Sequence, residues 1–111
     1  MTYYDETEIV QRSDGITRRR LRLWLRRGWV VPQESPAGPR FDGADLARLR
    51  LICELKDEIN LSDDAVAVVL SLIDQLHSVR HELRTLGQAI EAQPDDVRRA
   101  VQVAYRRLSA G

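Results

Sequence analysis

The chain has 111 residues, 17 basic and 17 acidic, with one cysteine, two histidines, one Phe, two Trp and three Tyr. This length suits one modest domain with a small core, and a single cysteine excludes an internal disulfide. No apolar run approaches the roughly 18 residues of a membrane span, and the N-terminal MTYYDETE is acidic where a secretory signal is basic, so a cytoplasmic chain is expected, with no membrane partner.

The balanced total hides a division along the chain. Residues 11–40 carry eight arginines against two acids, whereas residues 41–76 carry eight acids against three bases. Partner choice follows such regional fields more than the net charge.

In chain order, a short helix is expected over about residues 7–13, capped by Thr7 or Asp5 and ended by Asp14-Gly15. Thr17 then caps a second helix that should run to Arg27 and stop at Gly28. Leu21, Trp24 and Leu25 share its inner face at i, i+3 and i+4; Arg19, Arg26 and Arg27 gather opposite, with Leu23 an apolar intruder among them. Trp29–Val31 reads as a short extended piece and residues 32–40 as a turn-rich loop with three prolines and a glycine, after which Phe41 returns to the core.

Asp42 and Asp45 form a capping-box pair with Asp in place of Glu, opening a helix that carries Leu46, Leu49, Ile52, Cys53, Leu55 and Ile59. Asn60 and Ser62 interrupt it, and Ser62 caps the next helix. In that helix Val69, Leu72, Leu76, Val79, Leu83, Leu86 and Ile90 follow alternating spacings of 3 and 4, a heptad seam. A helix over 62–90 is about 40 Å long at 1.5 Å per residue, which favours a homodimer through Val69, Leu72, Leu76, Val79, Leu83 and Leu86, parallel or antiparallel. Pro94 opens a last short helix with a narrow stripe of Val97, Val101, Ala104 and Leu108. The expected divisions are a helix–turn–helix domain at 1–60, a dimerisation helix at 61–90 and a C-terminal helix at 91–111.

The run GITRRRLRLWLRRGWVVP, through Gly15, Ile16, Thr17, Leu21, Arg22, Gly28, Trp29, Val30 and Pro32, resembles the MerR-like winged helix–turn–helix group. PRFDGADLARL, through Arg40, Phe41, Asp45, Leu46 and Leu49, resembles that group's segment after the wing. The resemblance implies an all-α winged helix–turn–helix fold with DNA backbone contacts from Arg22 and Arg40, and Arg18, Arg19 and Arg26 on the same recognition helix could also neutralise phosphates. Leu23 departs from the group, standing where an aromatic that can bond a phosphate is usual. Residues 28–86 are also similar to the chaperone modulator CbpM family, built on the same scaffold. That narrower resemblance implies binding to the J-domain of a DnaJ-like co-chaperone of the CbpA type, preventing it from stimulating DnaK. A J-domain's DnaK-facing helix is typically basic, so Asp57, Glu58, Asp63, Asp64 and Asp74 are the candidate contacts. A DNA-binding regulator without an effector domain is the alternative.

No catalytic motif appears: there is no Gly-x-Ser-x-Gly, phosphate loop or Gly-x-Gly-x-x-Gly. His77 and His81 are at i, i+4, but Ser78 stands where a zincin has its glutamate, and no third ligand is in view. A non-enzymatic protein with no metal and no cofactor is expected.

Overall fold

The structure, a computed structural model, describes residues 2–111. Helix α1 (Glu6–Arg12) starts at Asp5, not Thr7. The Asp5 carboxylate accepts from the Glu8 N–H at 2.8 Å and Glu8 accepts from the Asp5 N–H, a reciprocal cap. Helix α2 (Arg18–Arg26) starts where expected, with Thr17 Oγ1 accepting from the Arg20 N–H. It ends in a Schellman motif. Gly28 turns to φ +71°, its N–H donates to the Leu25 carbonyl, and the Trp29 N–H donates to that of Trp24. The Trp24 and Trp29 rings stack with centroids 6.5 Å apart, the apolar contact that accompanies this cap.

One expectation fails in the next segment. Trp29 and Val30 are buried side chains closing α2, and no strand pairing falls within Trp29–Val31. The strands lie instead inside the presumed loop, as β1 (Gln33–Ser35) and β2 (Gly38–Arg40), antiparallel around Pro36-Ala37. Gly38 at φ +114° makes the two-residue turn possible, and Ser35 Oγ donates to the Gly38 carbonyl. An antiparallel pair needs N–H groups only from alternate residues, so Pro39 is tolerated. The base of this wing is tied to the N-terminal segment by reciprocal backbone bonds between Tyr4 and Phe41, at 2.7 and 2.8 Å.

Helix α3 (Gly43–Cys53) opens on the expected Asp42/Asp45 box. It does not continue as an α-helix to Ile59. Residues Glu54–Glu58 form a π turn, closed by the Ile59 N–H on the Glu54 carbonyl. A π turn holds one more residue than an α turn, so the residues after it are rotated off the α-helical face. Leu55 is therefore buried while Ile59 points into solvent. Asn60 at φ +60° reverses the chain, and Ser62 Oγ accepts from the Ala65 N–H at the start of α4 (Asp63–Glu91). Helix α5 (Asp95–Ser109) follows Pro94.

The chain divides into two compact units, the residues up to Ser71 and Leu72–Gly111. The first holds the core: Ile9 from α1, Ile16 from the turn, Leu21 and Trp24 from α2, Phe41, then Leu46, Leu49 and Ile52 from α3, with Leu55, Val66 and Leu70. Leu23, expected outside among arginines, is half-buried against this core. The second unit comprises the rest of α4 and α5, and none of its described residues is buried.

The turn between α1 and α2 presses on the end of α3. A Cβ on Gly15 would fall 3.0 Å from Cys53 Sγ and 3.2 Å from Cys53 Cβ. Gly15→Ala should therefore destabilise the fold by about 1–3 kcal/mol, the usual overpacking cost, read as a lower urea midpoint with unchanged slope. Adding Cys53→Ala should recover part of that loss, since the nearest atom is then gone.

Candidate functional site

The helix–turn–helix surface is built on arginines that are not equivalent. Arg20 faces inward across the turn, donating to both oxygens of Asp57 at 2.8 and 2.6 Å and to the Gly15 carbonyl at 3.1 Å. The hydrogen bond from Arg20 pulls the Asp57 carboxyl below its ordinary range, and the same bond raises the guanidinium of Arg20. Arg27 donates to Asp63 at 2.7 Å while lying over the Trp29 ring, and Lys56 reaches the other oxygen of Asp63 at 2.6 Å. Asp63 is likewise held low, first by its hydrogen bond from Lys56 and then by that from Arg27.

Glu6 on α1 takes Arg22 at 3.1 Å and Arg18 at 3.7 Å, though both arginines stay largely exposed. Arg18 also donates to Thr7 Oγ1. Arg40, at the end of β2, lies over the Tyr3 ring at 4.3 Å, and Arg12 over Tyr4 at 4.8 Å. Among the described residues, Arg19 and Arg26 are exposed, and their side chains make no hydrogen bond or ion pair.

A family model described as MerR HTH family regulatory protein matches residues 7–73, from α1 into α4. The chain belongs to the MerR helix–turn–helix family. No curated protein and no solved structure matches it.

Within this MerR fold the acidic residues also divide. Asp57 and Asp63 serve as internal anchors for α2, and Asp42 and Asp45 cap α3. Glu58 and Asp64 are exposed and form no ion pair among the described residues, whereas Asp74 is engaged in its own interactions. Glu54, not among the residues expected from sequence, joins them. It stands four residues before Glu58, is exposed and unpaired, and with Glu58 lines a shallow depression of about 560 Å³ that includes Ala47, Leu51 and Asp57. The i, i+4 spacing to Glu58 is the signal that could have found it. Cys53 closes the inner side of that depression with its thiol pushed up by burial. His77 and His81 are exposed on α4, and among the described residues no three His, Cys, Asp or Glu side chains group as a metal site. No described helix is long and apolar enough to cross a membrane.

The depressed carboxyl of Asp57 makes stability depend on pH in one direction. Its stabilisation is present above the ordinary carboxylate range and is lost as pH falls through the lower, folded-state value. The stability difference between the native chain and Asp57→Asn should thus be full at about pH 7 and shrink below about pH 4. Urea midpoints across that range measure it; Asp45, whose carboxyl burial pushes up, is common to both proteins and cancels. A difference constant with pH would mean that the Arg20–Asp57 charges contribute nothing.

Proposed function

We propose that this MerR-family chain is a modulator of the CbpM kind, which binds the J-domain of a DnaJ-like co-chaperone of the CbpA type and blocks its stimulation of DnaK. The action is occlusion of a basic surface, with no chemistry on a substrate. The observation that carries this reading is the acidic surface left over after the fold has satisfied itself. Asp57 and Asp63 are consumed by arginines of α2, while Glu54, Glu58 and Asp64 remain exposed, with no ion pair among the described residues. Free carboxylates on the π turn and at the start of α4 suit a basic helix, giving fast encounter and a fixed register. The resemblance over residues 28–86 supports the same partner.

A second reading, a DNA-binding regulator, is favoured by Arg19 and Arg26, which are exposed on α2 with no acid among the described residues to neutralise them. Arg18, Arg22 and Arg40 would then leave Glu6 and Tyr3 for phosphates. Either function would act as a homodimer through α4. Leu72, Leu76, Val79, Leu83 and Leu86 are 48–67% exposed in the single chain, a stripe whose burial is worth roughly 1.5–3 kcal/mol per large side chain. We retain 1–60, 61–90 and 91–111 as the functional division into helix–turn–helix, dimer helix and C-terminal helix.

Leu76→Asp should convert dimer to monomer in light scattering, because it would bury a carboxylate without a partner. The core lies in the other unit, so its unfolding transition should persist. A dimeric Leu76→Asp protein would refute the seam.

The two functions separate by charge reversal. Glu58→Lys with Asp64→Lys should weaken calorimetric binding to a CbpA-type J-domain by about tenfold or more and leave DNA retention unchanged. Arg19→Ala with Arg26→Ala should do the opposite, and should flatten the salt dependence of any DNA binding by about two phosphate contacts. No J-domain binding by the native chain, together with salt-sensitive DNA binding lost on removing the two arginines, would replace the modulator reading with the regulator one.

A further inference from the structure

Helix α2 and its cap carry two parallel rows of arginine. Arg19 and Arg26 are seven residues apart, and so are Arg20 and Arg27, the last of them at the helix cap. Seven residues are close to two turns, so each pair shares a face with its members about 10.5 Å apart, and the two rows lie about 100° from one another. The first row is exposed, and its side chains make no hydrogen bond or ion pair among the described residues. The second row is occupied at both ends. Arg20 donates to both oxygens of Asp57 and to the Gly15 carbonyl, and lies over the Trp24 ring at 5.5 Å. Arg27 donates to Asp63 at 2.7 Å and lies over the Trp29 ring at 5.2 Å.

We propose that Asp57 and Asp63 mask α2 against nucleic acid, occupying the guanidinium donors that backbone phosphates would otherwise take. A carboxylate that accepts two parallel N–H bonds offers an arginine what a phosphate offers, two anionic oxygens matched to its fork. Asp57 does so for Arg20, while Asp63 divides its oxygens between Arg27 and Lys56. Hydrogen bonds from these cations hold both carboxyls below the ordinary range, so both acids stay charged at neutral pH.

The masking does not need strong pairs. The four side chains are 32–45% exposed, and ion pairs of that kind are individually weak. They are intramolecular, however, which gives each acid an effective concentration that a phosphate in solution lacks. The tryptophan rings add a contact that an arginine would forfeit by swinging out. The helix therefore offers phosphates one row of arginines instead of two. This masking goes beyond both readings of function: it limits non-specific binding by a modulator and sets the affinity of a regulator.

The test is binding of the full chain to a labelled DNA duplex, followed by fluorescence anisotropy across a salt series. Asp57→Asn with Asp63→Asn should bind about tenfold or more tighter than the native chain at about 50 mM salt, with a salt dependence steeper by about two phosphate contacts. Glu58→Gln with Asp64→Asn removes the same charge from neighbouring unpaired acids and should gain clearly less. Adding Arg20→Gln and Arg27→Gln to the first variant should cancel its gain. Circular dichroism and the urea midpoint check each fold. Should the double variant unfold, Asp63→Asn alone frees Arg27 at the helix end and should add about one contact. Equal gains in the two double variants would mean a general charge effect and overturn the masking. A gain that survives loss of both arginines would overturn it in favour of Lys56. No gain in any variant would overturn it too, and leave the pairs as structural ties alone.

Discussion

The placement of α2 depends on one close approach, that of the α1–α2 turn to the end of α3. At Gly15 the backbone lies so near Cys53 that an added methyl group would sit 3.0 Å from its sulfur, and the Arg20–Asp57 pair spans the same junction. Two further ion pairs converge on Asp63 at the start of α4, from Arg27 at the end of α2 and from Lys56 on the π turn. These pairs are half exposed and individually weak. Their value is geometric: they connect the helix–turn–helix to the π turn and to α4, so the arginine-bearing helix cannot shift without disturbing the acidic segment.

This strapping changes the meaning of the charge pattern. Read linearly, eight arginines precede eight acids, and both blocks look available to partners. In the fold the blocks face each other and neutralise part of each other. The remainder is sparser and more specific, with Arg19 and Arg26 on α2 and Glu54, Glu58 and Asp64 beyond α3. The family match over residues 7–73 agrees with the helix–turn–helix scaffold, and the residual charges decide which of its surfaces could meet a partner. Because the acids that anchor α2 neighbour the acids left free, a partner seated on Glu58 or Asp64 would also feel the Arg20–Asp57 and Arg27–Asp63 pairs.

Features set by local chemistry were legible in the sequence. Thr17, Asp42 with Asp45, and Ser62 cap the helices expected of them, since a side-chain oxygen and an N–H a few residues on need nothing from the rest of the protein. Gly28 ends α2 for the same reason. The failures are tertiary. Trp29 and Val30 look like strand residues but serve the core, leaving the wing to form from a proline-rich stretch that carries no alternating pattern. The π turn has no sequence signature, and with the reversal at Asn60 that follows it leaves Ile59 facing outward. An ideal wheel misplaces Leu23 because it assigns faces by angle, whereas the core here is wide enough to reach it. Of the candidate site, the arginines and acids are all visible in the sequence, but which ones pair internally is a matter of sequence separations of 36 and 37 residues that periodicity cannot reveal.

The two units treat their apolar residues differently. Among the described residues, those up to Ser71 contain all fourteen buried apolar side chains and can account for their own order. From Leu72 onward no described residue is buried, yet the segment keeps two helices rich in exposed valine and leucine. Isolated helices of this kind are held by propensity and near-neighbour pairs, which are small terms, while their apolar stripes leave a larger hydrophobic term unrealised. Scattered surface leucines need no explanation, but five apolar residues at heptad spacing on α4, Leu72, Leu76, Val79, Leu83 and Leu86, form a continuous strip. A chain that encloses the apolar residues of one unit and leaves those of the other aligned on open helix faces has the pattern on which the proposed α4 dimer rests, and in that proposal the first unit supplies the charged surfaces.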